Sequence, residues 1–253
     1  MLLDVPQMNE YLKRLIDSRV VTGGEGEQLP LHSDTSLDQC EFLQRTIDRV
    51  AAVHCVEVGL AYGISALAIC DAVSQRDGAS LTTIDPFQRE AWKNIGRLNI
   101  ERAGYADMVT HYEEVSQAVL PRLLGEGAEF DFAYIDTTKV FDAVLIDAYF
   151  ATRLLRVGGV IVFDDCSWPG IRKVVRYITE WPHLSIFDTH KQAEVSRTRM
   201  AASAVSTAIP FADKILRPEI VRPDHALGVS AECVAFQKTA EDTRSWDWSV
   251  VPS

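Results

Sequence analysis

The sequence predicts an α/β fold: a Rossmann-like, doubly wound, mostly parallel seven-stranded sheet with helices on both faces. Three observations carry this. From His54 onward, short apolar runs alternate with stretches of helical period, in βαβα order. The runs are near-continuously apolar rather than alternating, as strands covered on both faces require. And 253 residues suffice for a single domain, 1–253, with one large core.

The elements follow in order. An amphipathic helix is expected up to about Arg19, then a loop through "VVTGGEGEQLPLHSD", rich in glycine and charge. A second helix starts near Ser36, with Asp34, Thr35 or Ser36 as its cap, and completes an N-terminal helical segment over residues 1–50. "HCVEVG" is a buried strand, followed by a helix from Ser65 to Val73. "SLTTID" is the next strand, followed by a helix to about Ala103, then "MVTHY" and a helix over Ser116–Leu124. "FDFAYID" leads into a helix carrying Val140, Ala143, Val144, Phe150, Ala151, Leu154 and Leu155 on one period. "GGVIVFDD" and a helix over Ile171–Trp181 come next, then "HLSIFD" and "ECVAFQK" as the last two strands. About forty residues separate those two, too many for a plain loop; residues 190–230 read as a helical insertion, either a lid or an oligomer contact. Trp246 and Trp248 read as a C-terminal clasp, and His54 as the residue leading into its strand.

Totals narrow the function. A formal net charge of -11 opposes a nucleic-acid partner. Five scattered cysteines without a C-x-x-C pair read as reduced core thiols. "MLLDVPQMNEYLKRL" lacks the form of a signal peptide, and no run approaches the ~20 apolar residues of a membrane span. A cytoplasmic protein with no membrane partner is expected.

Chemistry concentrates at the strand ends, where open parallel sheets bind ligands. The first strand ends in E-x-G-x-x-x-G: Glu57, Gly59, then Tyr62, Gly63 and Ser65. This is not the G-x-G-x-x-G of dinucleotide enzymes, which disfavours an NAD-dependent dehydrogenase. Asp85, twenty-six residues beyond Gly59, stands where an acid accepts both ribose hydroxyls of an adenosine cofactor. Two later strands end on Asp136 and on Asp164 with Asp165. Singly, such acids cap the helix that follows; together they converge on one crevice, and gathered like charges need a cation.

At these residues the chain resembles a family, the class I S-adenosylmethionine-dependent methyltransferases, and within it the metal-dependent O-methyltransferases of catechol and caffeoyl-CoA type. "VEVGLAYGISALAI" is similar to that family's cofactor loop, "MVTHYEEVSQAVLPRL" to its third-strand segment, "YIDTTK" to its D-x-x-K signature, and "LLRVGGVIVFDDCSWPG" to its fifth strand with an acid pair. The likeness covers roughly Leu31 to Ile178. It implies that Glu57, Gly59, Tyr62, Gly63 and Ser65 hold the methionine end of S-adenosylmethionine, Asp85 the ribose, and Ser116 and Gln117 the adenine, with Asp136 adjoining. It further implies Asp136, Asp164 and Asp165 as ligands of Mg²⁺ or another divalent cation, with Lys139 as general base beside Asp136.

Three oxygen ligands suit a hard divalent ion that lowers the pKa of a substrate hydroxyl. The expected acceptor is a small hydroxylated molecule, a catechol-like phenol or a natural-product sugar, and a homodimer is compatible. The family commonly has Asn where Asp165 stands, and Thr137 and Thr138 replace residues that often shape the acceptor pocket. Two rivals stay open: the same chemistry without metal, with Asp136 or a histidine as base, and a non-catalytic subunit that only binds the cofactor.

Overall fold

The computed structural model describes residues 8–32, 35–192 and 223–249. Helix α1 (Glu10–Ser18) begins at Asn9, whose side chain accepts the Tyr11 N–H, and buries Leu12 and Leu15. Next comes a short antiparallel hairpin of β1 (Val20–Thr22) and β2 (Gln28–Pro30), within the stretch expected to be only a loop. The glycines and charges there form its turn; the three-residue strands are too short to leave a periodic signal.

Helix α2 (Leu37–Arg49) leads to β3 (His54–Val58), α3 (Ile64–Val73), β4 (Ser80–Ile84), α4 (Ile95–Arg102), β5 (Val109–Tyr112), α5 (Ser116–Gly125), β6 (Phe130–Ile135), α6 (Phe141–Leu154), β7 (Leu155–Phe163), α7 (Pro169–Ile178), β8 (Leu184–Gln192) and β9 (Ala231–Lys238). The seven long strands form one sheet in the order β5-β4-β3-β6-β7-β9-β8. Pairing is parallel from β5 through β7, and β9 alone runs against both of its neighbours. The order reverses between β3 and β6, the switch point where such sheets bind ligands. Residues 193–222, which hold most of the expected insertion, lie outside the described residues.

Successive side chains of the inner strands face opposite sides, so the sheet carries two cores. Cys55, Phe132 and Tyr134 pack under α1, α2 and α3; Val56, Val58, Ala133 and Ile135 pack under α5, α6 and α7. Helix α3 is buried almost all round because α1 and α2 cover the side away from the sheet. Its one polar exception, Asp71, accepts from Asn9 N, Gln44 Nε2 and Tyr105 Oη. At the far edge of the sheet Asp131 accepts the N–H groups of Val53 and His54 and pairs with Arg156, tying the starts of β3, β6 and β7. All five cysteines are buried and free of disulfides.

Two expectations are corrected. The helix after β4 begins only at Ile95; residues 86–94 are a loop, because the Asp85 side chain takes the Phe87 N–H and Lys93 and Asn94 adopt positive φ. Of the C-terminal pair, Trp248 packs near Tyr177 and Arg244, whereas Trp246 is 98% exposed and clasps nothing.

The apolar face of α6 holds an exception that periodicity did not reveal. Asp147 is fully buried beside Val144, Ala148 and Ala151. Its Oδ1 accepts from Gln117 Nε2 at 3.5 Å, and its Oδ2 has no partner among the described residues. Burial raises its pKa to about 6, against the pull of a Ser116 hydrogen bond. Because the folded pKa lies above the ordinary carboxyl value, the stabilising contribution is complete below about pH 4 and is lost as pH rises through 6. Denaturant melts of Asp147→Asn and wild type should therefore converge or cross with rising pH, the variant gaining up to ~3 kcal/mol on wild type between pH 4 and 8. Gly59, with φ of +97°, lies so close to β6 that a Cβ would overlap the Asp136 carbonyl oxygen. Gly59→Ala should cost about 2–4 kcal/mol in the same melts.

Candidate active site

The carboxyl ends of β3, β4 and β6, with the N-terminus of α5, enclose a cavity of about 620 Å³, within the usual range for a small-molecule site. Its floor is the turn from Gly59 to Ser65. Gly63, at φ +80°, starts α3 directly against the Gly96 backbone, so the turn has no room for a side chain there. Asp85 lines the same cavity and is only 4% exposed. Its Oδ2 accepts from Leu60 N at 3.1 Å, Ala61 N at 2.9 Å and Gln88 Nε2 at 3.0 Å, and its Oδ1 accepts from Phe87 N at 2.8 Å. The carboxylate expected to meet a ribose thus already grips the glycine turn and the 86–94 loop. Oδ1 is the oxygen with capacity for a further donor.

Glu57 does not line the cavity: it lies fully buried beneath the turn, where Ser65 Oγ donates to its Oε1. Its Oε2 has no partner among the described residues. Burial, with the nearby charges of Asp136 and Asp85 adding to it, pushes its pKa well up against the pull of the Ser65 hydrogen bond. Ser65, by contrast, lines the cavity, as do Tyr62, Ser116 and Gln117.

Beyond the turn, the cavity meets Asp136 and Lys139. Lys139 Nζ lies 3.5 Å from Asp136 Oδ1 and forms a closer ion pair with Asp165. Burial acts to lower the Lys139 pKa, but the carboxylates of Asp136, Asp165 and Asp164 outweigh it and leave the ammonium more firmly protonated than usual. The expected base is therefore held as a cation in this arrangement.

Asp164 is turned into the protein and is 6% exposed. Its Oδ1 accepts from Asp165 N at 2.7 Å, Gln39 Nε2 at 3.0 Å and Cys233 Sγ at 3.2 Å; its Oδ2 accepts from Tyr134 Oη at 2.6 Å. Gln39 is held in turn by the Ser36 N–H at 2.9 Å, in the capping box of α2.

Among the described residues no three acid, histidine or cysteine side chains form a ready metal cage. The chemistry of the donors nonetheless suits a cation. Two carboxylates, Asp136 and Asp165, face one ammonium, and burial together with the Asp164 and Asp165 charges raises Asp136 to about 7 despite Lys139. Asp136 and Asp165 offer hard oxygens on either side of Lys139 Nζ, and Asp164 Oδ2 keeps one lone pair beside its single donor.

Sequence reasoning missed several lining residues: Thr35 before α2, Phe87 and Trp92 on the 86–94 loop, Val115, and Asp142 and Ile146 on α6. They carry no motif, and four of them reach the cavity from loops or caps. Trp92 packs edge-on against Tyr62 with ring centroids 5.0 Å apart, and His32 Nε2 lies 3.0 Å from Tyr62 Oη. A sequence aromatic on either side of the glycine turn was the available signal.

Residues 56–166 match the family model described as a methyltransferase domain. The chain is 29% identical to tapetum-specific methyltransferase 1 of Arabidopsis thaliana, over 65% of this chain and 67% of that protein. It is 30% identical to caffeoyl-CoA O-methyltransferase 1 of Eucalyptus globulus, over 58% and 62%, and 34% identical to tricin synthase 1 of rice, over 54% of each. The chain therefore spans about two thirds or less of these relatives' lengths. Among solved structures, an O-methyltransferase from Bacillus cereus in complex with SAH superposes with a TM-score of 0.60 at 24% identity, covering 73% of this chain and 85% of that one. TomG from Streptomyces achromogenes, in complex with SAM, gives 0.59 at 20% identity, over 75% and 86%. Sheet order, glycine turn and sequence relatives agree: residues 56–166 carry a methyltransferase domain, and the chain is similar in sequence and fold to these O-methyltransferases.

Proposed function

We propose that this chain transfers the sulfonium methyl of S-adenosylmethionine to a hydroxyl of a small acceptor, with Mg²⁺ or another divalent cation at the acceptor end. The observation that carries the reading is one continuous cavity joining the Gly59–Ser65 turn to Asp136 and Lys139. A methyl donor seated on the turn would direct its reactive end toward the charged cluster. The acceptor class is a catechol-like phenol or a sugar hydroxyl; the names of the plant relatives favour a phenol. Exposed Trp168 and Val140, at the starts of α7 and α6, offer apolar surface beside Lys139.

Asp136 and Asp165 would hold the ion, with Asp164 oriented behind them by Tyr134 and Gln39. A divalent ion bound there lowers the pKa of a hydroxyl and fixes its position. Lys139 supplies positive charge where the acceptor oxygen becomes anionic, a placement that stabilises the developing charge. The cavity walls hold donor and acceptor in line, and alignment of this kind is worth as much as ~7–11 kcal/mol.

One observation favours a second reading without metal: Lys139 Nζ already occupies the space between Asp136 and Asp165. In that reading the ammonium replaces the ion, and Asp136, with its pKa of about 7, takes the proton.

Activity on a phenol and sugar panel is expected to vanish in EDTA and return with Mg²⁺; full turnover in chelator selects the metal-free reading. Lys139→Met should lower turnover by ~10²–10⁴ while calorimetric affinity for S-adenosylmethionine stays within a few-fold, and unchanged turnover would remove Lys139 from the mechanism. Absence of cofactor binding at millimolar concentration would sink the enzymatic reading altogether.

A further inference from the structure

We infer that Asp147 sets the purine preference of the cavity by fixing which end of the Gln117 amide faces it, so that a 6-amino purine is accepted and a 6-oxo purine rejected. This rests on the S-adenosylmethionine reading of the cavity.

The two ends of a glutamine amide are nearly the same size and opposite in hydrogen-bonding sense, so a neighbour must choose between them. Here that neighbour is an acid on another helix. Gln117 Nε2 donates to Asp147 Oδ1 at 3.5 Å, and an ionised carboxylate can only accept. The NH₂ end is thereby committed backward to α6, leaving Oε1 as the free end of a side chain that lines the cavity. Ser116, its neighbour, also lines the cavity. Gln117, at the N-terminus of α5, therefore presents an acceptor to whatever ring lies there, beside the apolar surfaces of Phe87 and Val115.

Asp147 itself is wholly buried and does not line the cavity, so it works through Gln117 as a positioning residue. Its pKa of about 6 leaves it mostly ionised above neutrality. The exocyclic amino group of adenine is a donor and pairs with such a surface. The 6-oxo group of hypoxanthine is an acceptor and would leave buried oxygens facing one another, the kind of mismatch that polar sites reject strongly.

The test is calorimetry on the full chain with S-adenosylhomocysteine and S-inosylhomocysteine. Wild type should bind the adenosine compound at least ~10-fold more tightly. In Asp147→Asn the new amide can either accept from or donate to Gln117, so the amide is free to turn and the ratio should fall to within about 3-fold. A purely structural role would weaken both ligands together and leave the ratio alone. If wild type binds the adenosine compound but shows no discrimination, or if the folded variant keeps the wild-type ratio, the inference is overturned and the methyltransferase reading stands. If neither compound binds wild type, that reading fails and takes the inference with it. Should the Asn variant not fold, Asp147→Ser, whose hydroxyl can likewise accept or donate, is read in the same way.

Discussion

A tight turn that brings bare backbone up to a ligand leaves N–H groups with no partner inside the turn, and buried donors must be satisfied. In this chain Asp85 meets that need. One carboxylate takes two N–H groups of the turn after β3, one from its own loop, and the side chain of Gln88. Neighbouring strands β3 and β4 are thereby locked at the end where the cavity opens. The shape of the cavity floor, the path of residues 86–94 and the placing of Phe87 and Trp92 all follow from this one acid.

The same device recurs on the other side of the switch point. Asp164 gathers donors from α2, β6 and β9, so the helix that precedes the sheet and the strand that closes it meet at one side chain. Acids at strand ends thus divide into two kinds. Asp85 and Asp164 are turned inward and saturated or nearly so; Asp136 and Asp165 remain half-exposed around an ammonium. The inward pair builds the cavity, and the outward pair has charge left for a ligand.

The sheet, its strand ends and the residues that converge there were legible because buried parallel strands are written as unbroken apolar runs with abrupt polar ends. The seven long strands lie where those runs fall. What a residue does at a strand end was not legible. Asp85 and Asp136 look alike in sequence, and only the donors that approach from other loops separate them. The short β1–β2 hairpin was invisible because three-residue strands carry no period, and Asp147 was hidden inside an otherwise apolar helical face. Thr35 and Trp92 reach the cavity through tertiary placement alone.

The reversed strand β9, inserted between β7 and β8, has a consequence for how such a protein diversifies. Because β9 opposes both neighbours, β8 runs the same way as β3, and the chain departs at Gln192 and rejoins at Ala231 on the cavity side of the sheet. The connection between them is anchored at that face by two strands paired across nearly their whole length. A change in the length of that connection would therefore leave the pairing of the parallel strands and the turn after β3 undisturbed.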